Sequence, residues 1–377
     1  MPSSQAELYI GLMSGTSMDG IDAVLVDFSQ AEHSGAQAKL INTHSHPWPE
    51  DVQQALAKAK DIPDDELSSL SSLDLHVAKI FAEACVRVLE DTPFNTLDIT
   101  AIGSHGQTIR HRPDIDKPFS LQLGNAQRIA GLTGIDVIAD FRTADIKAGG
   151  QGAPLAPAFH QAAFQHGKIN RVIVNIGGIA NITVLPKDKS QAVTGFDCGP
   201  GNTLMDAWIS KHKQQNYDAE GKLAASGKTN ATLLAKLLMD DYFQLAPPKS
   251  TGFEYFNLEW LGKQVDKEMD SADIQSTLCD LTATSIIRAI NQYTTDATDE
   301  IYICGGGARN KELMRRLQAI TKCPVATTEV LGIHPDWVEA MAFAWLAYRH
   351  NHQQTGNLPS ATGAYKAVIL GEKSLAR

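Results

Sequence analysis

Tyr9-Ile-Gly-Leu-Met-Ser-Gly-Thr-Ser-Met-Asp-Gly-Ile-Asp-Ala-Val-Leu-Val-Asp-Phe28 decides the fold, because an apolar strand runs into a Gly/Ser/Thr turn and straight back into a second strand. A hairpin tip of this composition can hold phosphate. Gly11, Gly15 and Gly20 carry no Cβ, so the backbone can take positive φ and approach a bound oxyanion. Consecutive N–H groups in such a turn form an anion-binding concavity. Ser14, Thr16 and Ser17 add hydroxyl donors. Asp19 and Asp22 suit no anion, but they suit the Mg²⁺ that accompanies a nucleotide. An ordinary glycine hairpin, in which Asp and Ser only satisfy turn geometry, does not need so many hydroxyls and carboxylates together.

The rest of the chain has room for more than this hairpin. Its 377 residues, 43% hydrophobic and 20% charged, are enough for two cores. A net charge of −10 argues against nucleic acid or an anionic membrane as partner, since both demand a basic surface. Cys85, Cys198, Cys279, Cys304 and Cys323 form an odd set without CxxC spacing, which fits neither a disulfide framework nor a zinc site. The first residues lack a basic and an apolar signal region, and no apolar run reaches membrane-spanning length. A soluble, cytoplasmic protein is expected.

Beyond the hairpin, residues 38–45 read as a third strand and residues 49–89 as helices broken near Pro63 and Ser68. Residues 97–103 form a short apolar run ending in Ser104-His-Gly-Gln-Thr108, as expected where a buried strand delivers polar residues to a site. Short strands are predicted at 119–123 and 136–139. The Gly/Pro-rich segment 147–157 reads as the crossing between lobes, which places residues 1–140 with 335–377 in one lobe and 141–334 in the other. Residues 171–185 repeat the pattern of strand, glycine turn and returning strand, which suggests a duplication.

A strand at 192–196 leads into Asp197-Cys-Gly-Pro-Gly-Asn202, followed by a helix from Thr203 whose N-terminus attracts anions. Helices are predicted over most of 230–291. Residues 300–304 form a strand ending in Gly305-Gly-Gly-Ala-Arg-Asn310, and 337–349 a final helix.

Three glycine-bearing strand ends, at Gly15, Gly199 and Gly305, match the parts of a nucleotide. Neither G-x-G-x-x-G between strand and helix nor G-x-x-x-x-G-K-[ST] is present, which removes the dinucleotide and P-loop readings. Asp197, before a tight Gly-Pro-Gly turn, is the candidate general base, with an Asx turn or helix cap as the alternative. His105 either binds ligand or is a satisfied structural histidine. Asn310 caps its helix, with a base or ribose contact as a second role. Glu339 lies at the surface unless Trp337 and Met341 turn its face toward the site.

Met13-Ser-Gly-Thr-Ser-Met-Asp-Gly-Ile-Asp22, Ser104-His-Gly-Gln-Thr108, Phe141-Arg-Thr-Ala-Asp145, Gly149-Gly-Gln-Gly-Ala-Pro154, Asn175-Ile-Gly-Gly-Ile-Ala-Asn181, Phe196-Asp-Cys-Gly-Pro-Gly-Asn202 and Cys304-Gly-Gly-Gly-Ala-Arg-Asn310 together resemble the anhydro-N-acetylmuramic acid kinase family. The match continues to Glu339-Ala-Met-Ala-Phe-Ala344. The resemblance implies the actin, hexokinase and heat-shock-protein ATPase superfamily, an α/β fold of two duplicated ribonuclease-H-like lobes with ATP in the cleft between them. It further implies a cytoplasmic, homodimeric carbohydrate kinase of cell-wall recycling. Such an enzyme converts 1,6-anhydro-N-acetylmuramic acid, ATP and water to N-acetylmuramic acid 6-phosphate and ADP, with Mg²⁺.

By position, the resemblance assigns the phosphates to Gly15, Thr16, Ser17, Met18, Asp19, Gly20, Ile21 and Asp22. Gly199, Gly201 and Asn202 complete the nucleotide site, and Gly305, Gly306, Gly307 and Asn310 lie against the adenosine. Asp197 is the base. His105, Gln151 and Glu339 are the sugar-binding candidates. Where many of the superfamily carry an Asp ahead of the first Gly-Thr turn, this chain has Leu12-Met13-Ser14, so the metal contact moves to Asp19, Asp22 or a water shell.

Overall fold

Strand β1 (Leu8–Ser14) pairs antiparallel with β2 (Gly20–Asp27), from Leu8 opposite Asp27 to Met13 opposite Asp22. This is the opening hairpin. The computed structural model describes residues 6–15, 18–30, 38–247, 249–266, 268–294 and 296–376, so Thr16 and Ser17 of the turn lie outside the described residues. The remaining strands are β3 (Lys39–Pro47), β4 (Ile99–Arg112), β5 (Phe119–Leu123), β6 (Val137–Ala139), β7 (Arg171–Ile176), β8 (Ile179–Leu185), β9 (Thr194–Pro200), β10 (Glu300–Cys304), β11 (Val325–Thr327) and β12 (Glu372–Ser374).

The chain divides into two units, residues 1–163 with 337–377 and residues 164–336. In the first, the order is β12-β6-β4-β1-β2-β3, with β5 on β4. In the second it is β11-β10-β7-β8-β9. Each unit thus has an antiparallel three-strand meander, β1-β2-β3 or β7-β8-β9, extended by parallel strands on the side of its first member. This shared order is the ribonuclease-H-like α/β topology, present twice.

The central strands are buried on both faces, so their apolar residues run on rather than alternate. In the first unit Leu8, Ile10 and Leu12 face a core with Val77 and Phe81 of the helix Ser71–Arg87. The opposite face carries the helix Val338–Asn351. That helix sits directly on the sheet because two glycines face it. Gly11 and Gly103 are neighbours in the parallel register, and a Cβ on either would collide with the carbonyl oxygen of Ala340 or Phe343. Gly11 is therefore a packing glycine, not part of the anion turn. In the second unit the 23-residue helix Ser271–Tyr293, capped by Asp270, packs Leu278, Leu281 and Ile286 against Val172, Val174 and Ile303.

Several expectations shift. Residues 141–163 belong with the first unit. The reason is Asp145, fully buried, whose carboxylate accepts from Gly152 N at 2.8 Å, Asn357 Nδ2 at 2.6 Å and Thr362 Oγ1 at 2.7 Å. Those bonds tie the Gly/Pro-rich loop to the C-terminal segment, so the crossing lies near Phe164. Residues 335 and 336 stay with the second unit, where Pro335 O accepts from Gly305 N and Asp336 pairs with Arg309. Strand β4 continues through the Ser-His-Gly-Gln-Thr segment to Arg112, because β5 pairs with its second half. Likewise β9 includes Asp197 instead of stopping before it. The helix Val338–Asn351 is not the last element, since β12 returns to pair with β6. The region 230–291 is helical over most of its length, as expected, but in separate pieces, because Leu245-Ala-Pro-Pro-Lys-Ser-Thr-Gly252 cannot sustain a helix.

Candidate active site

In the first unit the turn between β1 and β2 is braced from β4. Gly15 O accepts from Gln107 Nε2 at 3.1 Å and from Met18 N at 3.3 Å. Ser14 Oγ lies 2.7 Å from both Gly20 O and Gln107 Oε1, and its one proton serves either in turn. Ser14 is thus occupied within the protein. Among the described turn residues the left-handed position falls on Met18, φ 57°, and not on a glycine. Gly20 instead permits close approach to His46 O of β3. The side chains of Met18 and Ile21 are buried in the core, so these two can meet a ligand through backbone alone.

Asp19 is exposed at the tip, and Asp22 Oδ1 accepts from Ser45 Oγ at 2.7 Å. No group of three or more His, Cys, Asp or Glu gathers for a metal among the described residues. A Mg²⁺ that arrives on a nucleotide needs only one or two protein carboxylates beside its phosphates and waters. The exposed Asp19 fits that need.

Two of the sugar candidates of this unit, His105 and Glu339, converge on a residue that sequence reading passed over, whereas Gln151 is brought near it only through its neighbour Gly152. Arg142 Nη2 contacts His105 Nε2 at 2.8 Å, and its Nη1 donates to Gly152 O at 2.7 Å, the residue after Gln151. Burial lowers the Arg142 pKa to about 10, against the pull of Glu339, Asp145 and Asp140, so it is a cation at neutral pH. Its Nε is buried and has no partner among the described residues. Burial and the Arg142 charge together push the His105 pKa down to about 3. His105 is therefore neutral, accepting from Arg142 through Nε2, while its Nδ1 is buried without a partner among the described residues. Glu339 is partly buried and acts electrostatically on Arg142, so its helix face is not simply a surface.

In the second unit the glycine segments gather at one end of the sheet. The tip Gly177-Gly178 between β7 and β8 accepts from Gly201 N and Asn202 N, each at 2.8 Å, and from Thr203 N at 3.1 Å. The first N–H groups of the helix Thr203–Lys213 are thus partly used by that turn. Asn202 Nδ2 reaches Ile176 O at 3.3 Å, and Thr282 Oγ1 spans Pro200 O and Gly201 O. Gly305, at φ 78°, and Gly307 pack so closely on Asn175 and Ile176 that a Cβ would collide. Gly306 lies beside Asn202. Gly199 faces the ring of Phe243. Asn310 Oδ1 accepts from Leu313 N at 3.0 Å, the capping role expected of it.

Asp197 lies on β9, an edge strand, and the irregular segment after residue 240 folds over it. Its N–H donates to Lys249 O at 3.2 Å, its carbonyl accepts from Tyr242 Oη at 2.8 Å, and its carboxylate Oδ2 accepts from Thr251 N at 3.0 Å. Lys249 Nζ is 3.2 Å from Tyr242 O and 4.7 Å from the Tyr242 ring centre. Burial pushes the Asp197 pKa up to about 7, despite the Thr251 amide and the Lys249 charge, which both favour the carboxylate. This is a rigidly held carboxyl poised near neutrality. Neither the cap nor the Asx-turn reading applies, because the carboxylate bonds a segment 54 residues away. Gln107, Arg142, Lys249 and Thr251 were not singled out from sequence. Gln107 and Arg142 sat inside motifs already quoted, whereas Lys249 and Thr251 carried only a loop signal.

A family model described as anhydro-N-acetylmuramic acid kinase matches residues 7–375. The anhydro-N-acetylmuramic acid kinase of Shewanella amazonensis is 52% identical over 369 residues, covering 97% of this chain and 98% of its own length. That of Coxiella burnetii is 48% identical over 367 residues, covering 97% and 96%. Among solved structures, the activator of 2-hydroxyisocaproyl-CoA dehydratase from Clostridium difficile with bound ADPNP is similar at a TM-score of 0.46 and 11% identity, over 92% of this chain and 96% of that one. That likeness is too loose to bear on the site.

Proposed function

The chain belongs to the anhydro-N-acetylmuramic acid kinase family, and we propose that it phosphorylates 1,6-anhydro-N-acetylmuramic acid with coupled hydrolysis of the anhydro bridge. The sugar's bridge oxygen is an acetal oxygen with no proton to give, so simple transfer from ATP to O6 cannot occur until the bridge opens. In this reading Asp197 removes a proton from a water whose oxygen bonds to C1. The C1–O6 bond breaks, O6 takes the γ-phosphoryl group, and ADP leaves. The observation that carries the reading is a single held carboxyl with a pKa near 7, since a general base works best close to the operating pH.

The turn from Gly15 to Asp22 takes the phosphates, Gly199, Gly201 and Asn202 support the nucleotide, and Gly305 to Gly307 lie against the adenosine. Asp19 would hold Mg²⁺, which supplies charge neutralisation of the phosphoryl oxygens. Arg142, flanked by His105, Gln151 and Glu339, meets the lactyl carboxylate that distinguishes a muramic acid from other amino sugars. A half-buried guanidinium with one N–H unpaired among the described residues is the group for such an anion in a chain of net charge −10. The physiological setting that follows is recycling of peptidoglycan fragments in the cytoplasm by a homodimer. Among the described residues no helix is long and apolar enough to cross a membrane.

Turnover in ¹⁸O-labelled water tests the chemistry. Label on the anomeric carbon in the first turnover, read before the free hydroxyl exchanges, is the expected result. Unlabelled phosphosugar would replace this reading with direct transfer to a hydroxyl.

A further inference from the structure

Thr251 presents an anomaly beside the base. Its N–H holds Asp197 Oδ2 at 3.0 Å, yet its own Oγ1 is buried and has no partner among the described residues. A buried hydroxyl without a bond is destabilising, so one kept beside a candidate catalytic carboxyl points to a ligand that completes it. The other polar atoms close to Asp197 are committed elsewhere. Tyr242 Oη donates to the Asp197 carbonyl, and Lys249 Nζ is anchored to Tyr242 O over the Tyr242 ring. On this segment the Thr251 hydroxyl is the buried side-chain oxygen that has no partner among the described residues. The amide bond of the same residue ties it to the carboxylate.

We propose that Thr251 Oγ1 binds the attacking water together with Asp197, as a second catalytic residue of the ring-opening step. Asp197 accepts the proton while the threonine hydroxyl fixes the water's oxygen, so that a lone pair faces C1. The water's second proton stays on the new anomeric hydroxyl. This inference rests on the reading of Asp197 as the base.

Thr251→Val is the test, since it removes the hydroxyl, keeps the amide bond to Asp197 and preserves side-chain shape. The expected result is a fall in kcat of about 30- to 300-fold, with KM for both ATP and the anhydro-sugar within threefold of wild type. Thr251→Ser restores kcat to within about fivefold. The valine variant melts no lower than wild type, because the atom deleted has no bond to lose. A rise in the sugar KM with kcat unchanged would assign the hydroxyl to the sugar and overturn the proposal, as would wild-type kcat in Thr251→Val. A valine variant that fails to fold, together with a serine variant as slow as Asp197→Asn, would make the hydroxyl structural and also overturn it. Full activity of Asp197→Asn strikes at the base reading, whereas an inactive Asp197→Asn beside a fully active Thr251→Val strikes at Thr251 alone.

Discussion

Replacing Asp197 by Asn should abolish turnover and at the same time make the protein more stable above neutral pH. The half-buried carboxyl is raised from 3.8 to about 7 in the folded chain. At about 1.4 kcal/mol per pH unit, holding the ionised form in place costs about 4 kcal/mol as a ceiling. The sign follows from proton linkage. Between about pH 4 and pH 7 the folded state binds this proton and the unfolded state does not, so stability falls as pH rises through that window. Above pH 7 the full cost is present, and below pH 4 it vanishes. Asn carries no charge at any pH, and its amide oxygen still accepts from the Thr251 N–H. The gain should therefore be absent at pH 4, grow through pH 5 and 6, and level off by pH 8. For a unit of this size it corresponds to about 2–4 °C per kcal/mol. Thermal melts of wild type and Asp197→Asn at matched pH values provide the assay, with ATP turnover measured alongside. Two melting curves that keep a constant separation from pH 4 to pH 9 would refute the desolvation argument. A variant that melts lower at pH 8 would refute it more directly, by showing that the carboxylate stabilises its surroundings.

Gly103→Ala should lower the urea midpoint of the first unit by an amount equivalent to about 1–3 kcal/mol, because the new methyl meets the Phe343 carbonyl and the helix Val338–Asn351 must lift. An unchanged midpoint would mean the helix is not seated against that glycine. Arg142→Met should raise KM for the anhydro-sugar about 10- to 100-fold, the loss of one charge-assisted contact, and leave KM for ATP within twofold. Equal loss of both would move Arg142 out of the sugar site. Gly15→Val should abolish ATP binding in calorimetry by placing a side chain where phosphate approaches; wild-type affinity would show that the turn from Gly15 to Asp22 does not hold phosphate.

The sequence by itself determined those features whose cause is local. The glycine turn between two apolar runs specifies β1 and β2, and the same pattern specifies β7 and β8. Asn310 before an amphipathic run specifies a capped helix, and the apolar stretch from Val338 can only be a buried one. Period, turn chemistry and capping act within a few residues, so they are visible in the letters. The motif resemblance added the family without any coordinates.

Tertiary structure decided what depends on segments distant in sequence. His105 and Arg142 are 37 residues apart and meet because parallel β4 and β6 place their ends together. Thr251 reaches Asp197 because β9 is an edge strand with backbone groups left to pair, and the proline-broken loop after Tyr242 supplies them. Gly11 looked like part of the anion turn, yet its missing Cβ serves a helix more than 300 residues later. Burial follows the same logic. The desolvation that brings Asp197 near neutrality is a property of everything packed around it, and a carboxylate read in a string of letters has no dielectric surroundings to shift it.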